Sequence, residues 1–498
     1  MANTGPKANS LPLNNSTLDR LTGEVLRPTY DRSGLTPGIV HIGVGNFHRA
    51  HQAWYLHRLM QQGDAHDWAI IGAGVRSYDA SMRDKLLAQD CLTTLIELDP
   101  LGMSAEVVGS MIDYLPIEPG NGALIAKMAD PVIRIVALTV TEGGYYTDPA
   151  TGAFDVGNPD IVHDAAHPDT PRTAFGAIVA ALRQRRDAGH GPFSVLSCDN
   201  LLGNGKVLRQ TVVSLAGQSD PALADWIDAK CSFPNSMVDC IAPATGATEL
   251  ALVAHFGIAD AAPVTHENFR QWVIEDDFCA GRPDWNKVGA TFSPDVKDYE
   301  TMKLQVLNAG HQVLANVGEL LGIDTIANCM QNPDIAAFFN KVLTKEIAPH
   351  VQAVPNMTPL QYVAQVEVRF RNPSIKDTTR RVAFDGSSRH PGFVLPLVGK
   401  ALTAGAPVEG LALVEVLWAR MCIGERENRS VIEPNDPNWD SLNTAAHAAS
   451  ERPETWLEQA SIYGALGDDP RFRKAFVASY NAVKELGAAE TIRAYASR

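Results

Sequence analysis

No apolar run in the sequence approaches the ~18 residues that a membrane helix needs. Its first residues, Met1-Ala-Asn-Thr-Gly-Pro6, show no basic stretch leading into an apolar core. Neither a membrane span nor a signal peptide is therefore expected, and a cytoplasmic protein is. No CxxC pair occurs among the seven cysteines, at 91, 198, 231, 240, 279, 329 and 422. Their scatter and odd number point to a reducing compartment and argue against a structural zinc site. Basic residues are in deficit, with 42 Lys and Arg against 57 Asp and Glu, a net charge of -15. That balance disfavours nucleic acid and anionic membrane as main partners. Internal repeats and low-complexity tracts are missing too.

What is present describes an ordinary globular chain. Its 498 residues are 45% hydrophobic and 20% charged, enough for two to four domains and ample core. Residues 1–37 are polar and turn-rich and read as a strap over the first domain. Gly38-Ile-Val-His-Ile-Gly43-Val-Gly45 is a short apolar strand ending in a glycine turn, followed by a helix from near His48 to about Gln62. Strand, glycine turn and helix open a dinucleotide-binding unit, with phosphate at the helix N-terminus. The third glycine of GxGxxG is missing, because His48 stands there. A lone GxG is equally compatible with a plain turn.

A second apolar strand, Trp68 to Val75, runs out near Asp79. An acid past that strand grips the ribose diol in NAD-binding folds, although Asp79 lies 36 positions after Gly43, further than the usual ~20. Asp79 also reads as the cap of a helix containing Met82 to Leu87. Further βα units follow at Arg134–Thr141, which runs into Glu142, and at Phe193–Ser197, which runs into Asn200. The last places Asn200 at the carboxyl end of a strand, where doubly wound sheets bind ligands. Residues 233–243 read as extended, and the polar, Trp-containing region to about Pro294 reads as a connector.

Past Ser293 helical periodicity dominates, over 301–321, 332–346, 358–369, 409–422, 441–460 and 470–496. The expected architecture is an α/β, Rossmann-like dinucleotide-binding domain over residues 1–293 and a mainly helical substrate domain over residues 294–498. At roughly 100° per residue, Lys303, Asn308 and His311 span a sector of about 140° along the edge of the apolar face of the first helix. Lys303 and His311 stand about 12 Å apart along the axis. An amine, an amide and an imidazole can thus meet one small molecule. The plainer reading is a buried helix whose polar residues reach water along one edge, Lys303 by snorkelling.

Several ordered motifs carry a resemblance. They are Gly43-x-Gly45-Asn46-Phe47-His48-Arg49-Ala50-His51, Thr141-Glu142-x-Gly144-Tyr145, Ser197-Cys-Asp-Asn200, Pro234-Asn-x-Met-Val-Asp239 and Lys303-x4-Asn308-x2-His311. Arg369-Phe-x-Asn-Pro-x-Ile-x-Asp377 and Arg381-Val-x3-Gly-Ser-Ser-Arg389-x-Pro-Gly-Phe393 extend the set. From about residue 20 to the end the chain resembles the polyol-specific long-chain dehydrogenases, the mannitol 2-dehydrogenase family. The resemblance implies NAD-dependent, metal-free oxidation of a secondary alcohol of an open-chain polyol to the ketose, and the reverse. Lys303 is implied as general base, with Asn200 and Asn308 donating to the reacting oxygen. A lysine base needs its ammonium pKa, ordinarily ~10.4, lowered towards about 7–8. His311, Asp239, Arg381 and Arg389 are implied on the remaining hydroxyls. The cofactor side takes Gly43, Gly45, Asn46, Phe47, Asp79 and Glu142, and a structural role for Glu142 competes. A monomer or weak homo-oligomer is expected.

Three positions depart from the family pattern. Cys240 stands where an Arg usually follows Val-Asp, Tyr78 where many relatives carry an acid, and Arg389 where a Lys is common. Arg389 offers a planar fork rather than a point charge, which raises a hexuronate (fructuronate- or tagaturonate-type) reductase as the alternative. A non-catalytic NAD-binding sensor is the remaining reading; it is disfavoured because Lys303 and both asparagines are kept.

Overall fold

The computed structural model describes residues 10–21, 23–147 and 153–498, without the side chain of Glu142. Two compact units result, Met1–Lys297 and Asp298–Arg498. The first is built on five strands: β1 (Pro37–Ile42), β2 (Ala69–Ala73), β3 (Met111–Tyr114), β4 (Ile135–Leu138) and β5 (Ser194–Ser197). All pair in parallel, in the spatial order 3-2-1-4-5. Every residue of β2, β4 and β5 is buried. Continuous apolar runs of this kind mark strands covered on both faces.

Alternate side chains leave each strand on opposite sides, and two cores result. Val40, Ile42, Val136 and Leu138 pack with Phe175 and Leu182 of the helix Ala174–Asp187. Ile39 and Ile135 pack on the other face with Leu56, Trp272 and Trp285. The strand order reverses between β1 and β4, so a crevice opens beyond their carboxyl ends.

The stretch expected as a connector is part of this unit instead. Val264–Glu267 pairs in parallel with Thr93–Asp99, and Gln271–Ile274 pairs antiparallel with Ser236–Asp239. Trp272 and Trp285 within it are fully buried. Strands of two to four residues are too short to show a period, which is why the sequence reads there as loop. The N-terminal strap is stitched in by Leu11–Pro12 against Ile258–Ala259 and by Val25–Leu26 against Ala105–Glu106. Its first nine residues and Thr22 lie outside the described residues.

The second unit is helical, and its first helix is not uniform. Val296–Met302 leads into a π-turn, Lys303–Asn308, and then into Ala309–Leu321. Gly322, at φ 68°, closes it in the left-handed conformation. Helices also form at Pro333–Val342, Pro359–Phe370, Glu409–Met421 and Trp439–Glu451, and at Pro470–Leu486 and Ala488–Ser497 around Gly487. The helices Thr379–Ala383, Gly386–Arg389 and Leu395–Thr403 have no counterpart in the sequence reading. Gly386, Pro391, Gly392 and Pro396 read as breakers, yet proline is tolerated in a first helical turn. Among the described residues no helix is long and apolar enough to cross a membrane.

Candidate active site

Beyond β1 the chain must turn at once, and Gly43 makes the turn at φ +90°. A Cβ there would meet the Thr139 carbonyl oxygen at 2.1 Å, so only glycine fits. The Thr139 hydroxyl donates to the Gly43 carbonyl (2.6 Å) and lies within hydrogen-bond distance of His41 Nε2 (3.0 Å). Burial pushes the His41 pKa down to about 3, which leaves its ring neutral. His48, at the position of the missing third glycine, stacks on His41 with ring centres 3.4 Å apart. Helix and strand here are joined by two rings. The expected helix is two, Asn46–Ala50 and Gln52–Gln61, broken at His51 (φ -117°, ψ -92°).

A cavity of about 450 Å³ opens at the carboxyl ends of β1, β2 and β4, lined among others by Gly43, Gly45, Asp79 and Thr141. Asp79 does not cap its helix. Its Oδ2 accepts from the backbone N–H groups of Val75 (3.1 Å) and Arg76 (3.0 Å), which fixes the turn after β2. Tyr78 also lines the cavity and is 76% exposed. Arg76, on the same wall, donates to the Tyr146 hydroxyl at 2.9 Å.

Not every expected cofactor residue joins that lining. Asn46 donates to the Pro243 carbonyl (2.6 Å) and to Thr245 Oγ1 (3.0 Å), and lines a neighbouring cavity. Phe47 stacks on His51 at 4.7 Å. The Glu142 backbone opens the 3-10 turn Glu142–Tyr145, while its side chain lies outside what the structure describes. Asn200 is exposed, just past β5. Its neighbour Asp199 ties β5 to β4, accepting from Val140 N (3.0 Å), Thr141 N (2.9 Å) and the Tyr145 hydroxyl (2.8 Å). Thr141 is held at φ 66°, a conformation that costs a non-glycine residue about 1–3 kcal/mol. Asp239, buried, ends its strand opposite Gln271, and Cys240 after it is buried too. His41, Thr139, Tyr145 and Asp199 were given no role of their own in the sequence reading. The signal available was the polar run Thr139-Val-Thr141 at the end of an apolar strand.

In the second unit Lys303, 8% exposed, opens the π-turn that Asn308 closes. Residues five apart stand about 140° apart around a regular α-helix. The i→i+5 pairing of a π-turn sets them on successive turns instead. Lys303 and Asn308 therefore lie closer around the axis than the uniform helix of the sequence reading allows. His311 stacks on Phe370 at 4.2 Å. Burial pushes the His311 pKa down to about 4; Asp377 opposes this, and Arg381, Arg369 and Arg389 add to it. The ring is neutral at pH 7. Arg381 donates to Asp377 Oδ1 through Nε (2.8 Å) and Nη2 (2.6 Å), and Arg389 Nη1 donates to the Val382 carbonyl (2.6 Å). Among the described residues no three His, Cys, Asp or Glu gather where they could hold a metal ion.

An open parallel sheet in this order, with a glycine turn and a fixed carboxylate at its crevice, defines a Rossmann-type dinucleotide-binding protein. The family description "Mannitol dehydrogenase Rossmann domain" matches residues 37–287, and "Mannitol dehydrogenase C-terminal domain" matches residues 295–484. The chain belongs to the mannitol dehydrogenase family, as its motifs implied. It is 54% identical over 475 residues to mannitol 2-dehydrogenase of Cereibacter sphaeroides, covering 95% of this chain and 99% of that one. Against mannitol 2-dehydrogenase of Phaeosphaeria nodorum it is 40% identical, covering 98% and 86%. Among solved structures, the Pseudomonas fluorescens mannitol 2-dehydrogenase ternary complex with NAD and D-mannitol aligns with TM-score 0.84 at 40% identity, over 98% of this chain and 100% of that one. A substrate-free D-sorbitol dehydrogenase aligns with TM-score 0.91 at 34% identity, over 97% and 100%.

Proposed function

We propose that the chain oxidises a secondary alcohol of an open-chain polyol to the ketose with NAD, and catalyses the reverse, using Lys303 as base and no metal ion. The observation that carries this is the helix itself. It keeps Lys303, Asn308 and His311 in a chain 54% identical to a mannitol 2-dehydrogenase, and its π-turn draws Lys303 towards Asn308. The cavity in the first unit fits a dinucleotide: Gly43 leaves room where a Cβ would collide, and Asp79 offers a fixed carboxylate. Gly43 and Gly45 then hold the pyrophosphate, and Asp79 the ribose diol. When bound, NAD takes up the hydride that leaves the substrate carbon.

The protein's own groups deal with the proton and the charge. Lys303 Nζ accepts the hydroxyl proton. Asn200 and Asn308 donate to the oxygen as negative charge grows, each typically worth about 2.7–4 kcal/mol. Neutral His311 and charged Arg381 hold hydroxyls further along the chain. Neutral polyols of the mannitol, arabinitol or sorbitol type are the expected substrates, and activity should survive dialysis against a chelator.

Arg381, whose side chain is 63% exposed, and Arg389 favour a second reading, a hexuronate reductase, because a guanidinium pairs bidentately with a carboxylate. A screen by NADH absorbance decides between them, testing polyols with NAD⁺ and ketoses and ketouronates with NADH. Mannitol-type polyols and fructose should react well, and Arg389→Lys should reorder polyols without abolishing activity. Reduction of fructuronate far faster than fructose, with that advantage lost in Arg389→Lys, would give the site to the uronate.

Coenzyme choice follows from Asp79, which accepts from a ribose 2′-OH and repels a 2′-phosphate. With Tyr78 in place of a second acid, kcat/KM should favour NAD over NADP, less strictly than a two-carboxylate site would. A preference for NADP would remove Asp79 from that role.

A further inference from the structure

Two buried polar atoms in the second unit face each other without a hydrogen-bond partner, His311 Nε2 and Asp377 Oδ2. They stand 3.6 Å apart. The imidazole is neutral at pH 7, its pKa held near 4 chiefly by burial, so this contact is not an ion pair. Buried polar groups are costly to leave unpaired, and the one arrangement that brings both towards satisfaction puts a proton on Nε2, aimed at the carboxylate. The other oxygen of the same carboxylate, Oδ1, takes Arg381 through Nε at 2.8 Å and Nη2 at 2.6 Å.

The backbone holds Asp377 in place for both duties. It lies in the loop between Pro359–Phe370 and Thr379–Ala383, and its carbonyl accepts from Ile326 N at 2.9 Å. Thr378 caps the short helix by accepting from Arg381 N at 3.2 Å. Phe370 stacks on the His311 ring and leaves it little freedom to turn.

We infer that Asp377 is a positioning residue that orients both His311 and Arg381 with one carboxylate. Oδ2 selects the Nε2–H tautomer and leaves His311 Nδ1 as an acceptor for a substrate hydroxyl. Oδ1 fixes the guanidinium of Arg381 so that its remaining N–H groups serve as donors. One hydroxyl-accepting and one hydroxyl-donating group are thereby set together, which suits neighbouring hydroxyls of an extended chain. This rests on the reading of His311 and Arg381 as substrate-holding residues given above.

Asp377→Asn keeps the shape and removes the charge. It should raise the KM for the best polyol by roughly tenfold or more, the size of a lost hydrogen bond to a charged group. The effect on kcat should be much smaller, with the NADH Kd unchanged, and Asp377→Glu should recover part of the loss. Because Asp377 acts through His311 and Arg381, Asp377→Asn should add little to the loss already caused by His311→Ala and Arg381→Ala together. Additive losses, or a KM unchanged in an enzyme active on polyols, would overturn the inference. A substrate-free arm keeps it separate from the choice of substrate: ¹⁵N-histidine NMR of the wild-type protein should show His311 as the Nε2–H tautomer. An Nδ1–H tautomer would overturn the inference whichever substrate the enzyme takes.

Discussion

Replacing Lys303 with Ala is expected to lower turnover of a polyol by at least ~10²-fold while NADH binding stays near normal. Hydride cannot leave the carbon unless the hydroxyl proton leaves as well, and of the two amines on the helix that also carries Asn308 and His311, Lys297 is exposed and Lys303 is buried. Its side chain is 8% exposed. A solvated, snorkelling lysine contributes little that alanine would remove, so the two readings differ by orders of magnitude in kcat. Lys303→Arg sharpens the contrast. Arginine keeps the positive charge and most of the bulk, yet it stays protonated at any working pH. A purely electrostatic or packing role survives that exchange, and a base does not. Steady-state kinetics on both variants, beside fluorescence titration with NADH, provide the reading. Retention of most activity in either variant would end the assignment of Lys303 as base.

Gly43→Ala should be the most damaging single change in the cofactor half. The conformation alone costs about 1–3 kcal/mol for a residue with a Cβ, and that Cβ would lie 2.1 Å from the Thr139 carbonyl oxygen. The obstacle is backbone at the end of β4, so no side-chain rotation relieves it. The turn must shift, and with it the Thr139 hydroxyl bond to the Gly43 carbonyl. Weakening of NADH binding by at least roughly tenfold, equivalent to about 1.4 kcal/mol, is expected together with a lowered Tm. Gly45 is the control. It sits at φ -87° with nothing within 4 Å of a built Cβ, so Gly45→Ala should leave Tm unchanged. An intact Tm and intact NADH affinity in Gly43→Ala would refute this account of the turn.

The parallel sheet was legible because its strands are buried on both faces. Runs such as Ile135–Leu138 then read as apolar from end to end. Gly43 and Asp79 were legible because turn chemistry leaves marks on the sequence. What held Asp79 was not: its carboxylate serves two backbone N–H groups of the preceding turn rather than the helix it starts. A count at 100° per residue could place Lys303 and His311 on one helix but could not see the π-turn, since one looser turn leaves no periodic trace. Asp377 shows the same limit. Its link to Arg381 is local, four positions along the chain, whereas its facing of His311 comes from packing 66 positions away. His41 and Thr139 brace the glycine turn across 98 residues, a pairing that only the folded sheet creates.

Chemical rescue of Lys303→Ala tests the central claim most directly. Truncating a side chain that is 8% exposed leaves room for a small primary amine beside the reacting hydroxyl. If Lys303 takes the proton at Nζ, added methylamine or ethylamine should restore part of the lost polyol oxidation. The rescued rate should rise with the concentration of the unprotonated amine, while quaternary ammonium salts of equal ionic strength do nothing. Equal rates with amine and with quaternary salt, in a variant that still binds NADH, would contradict a lysine general base.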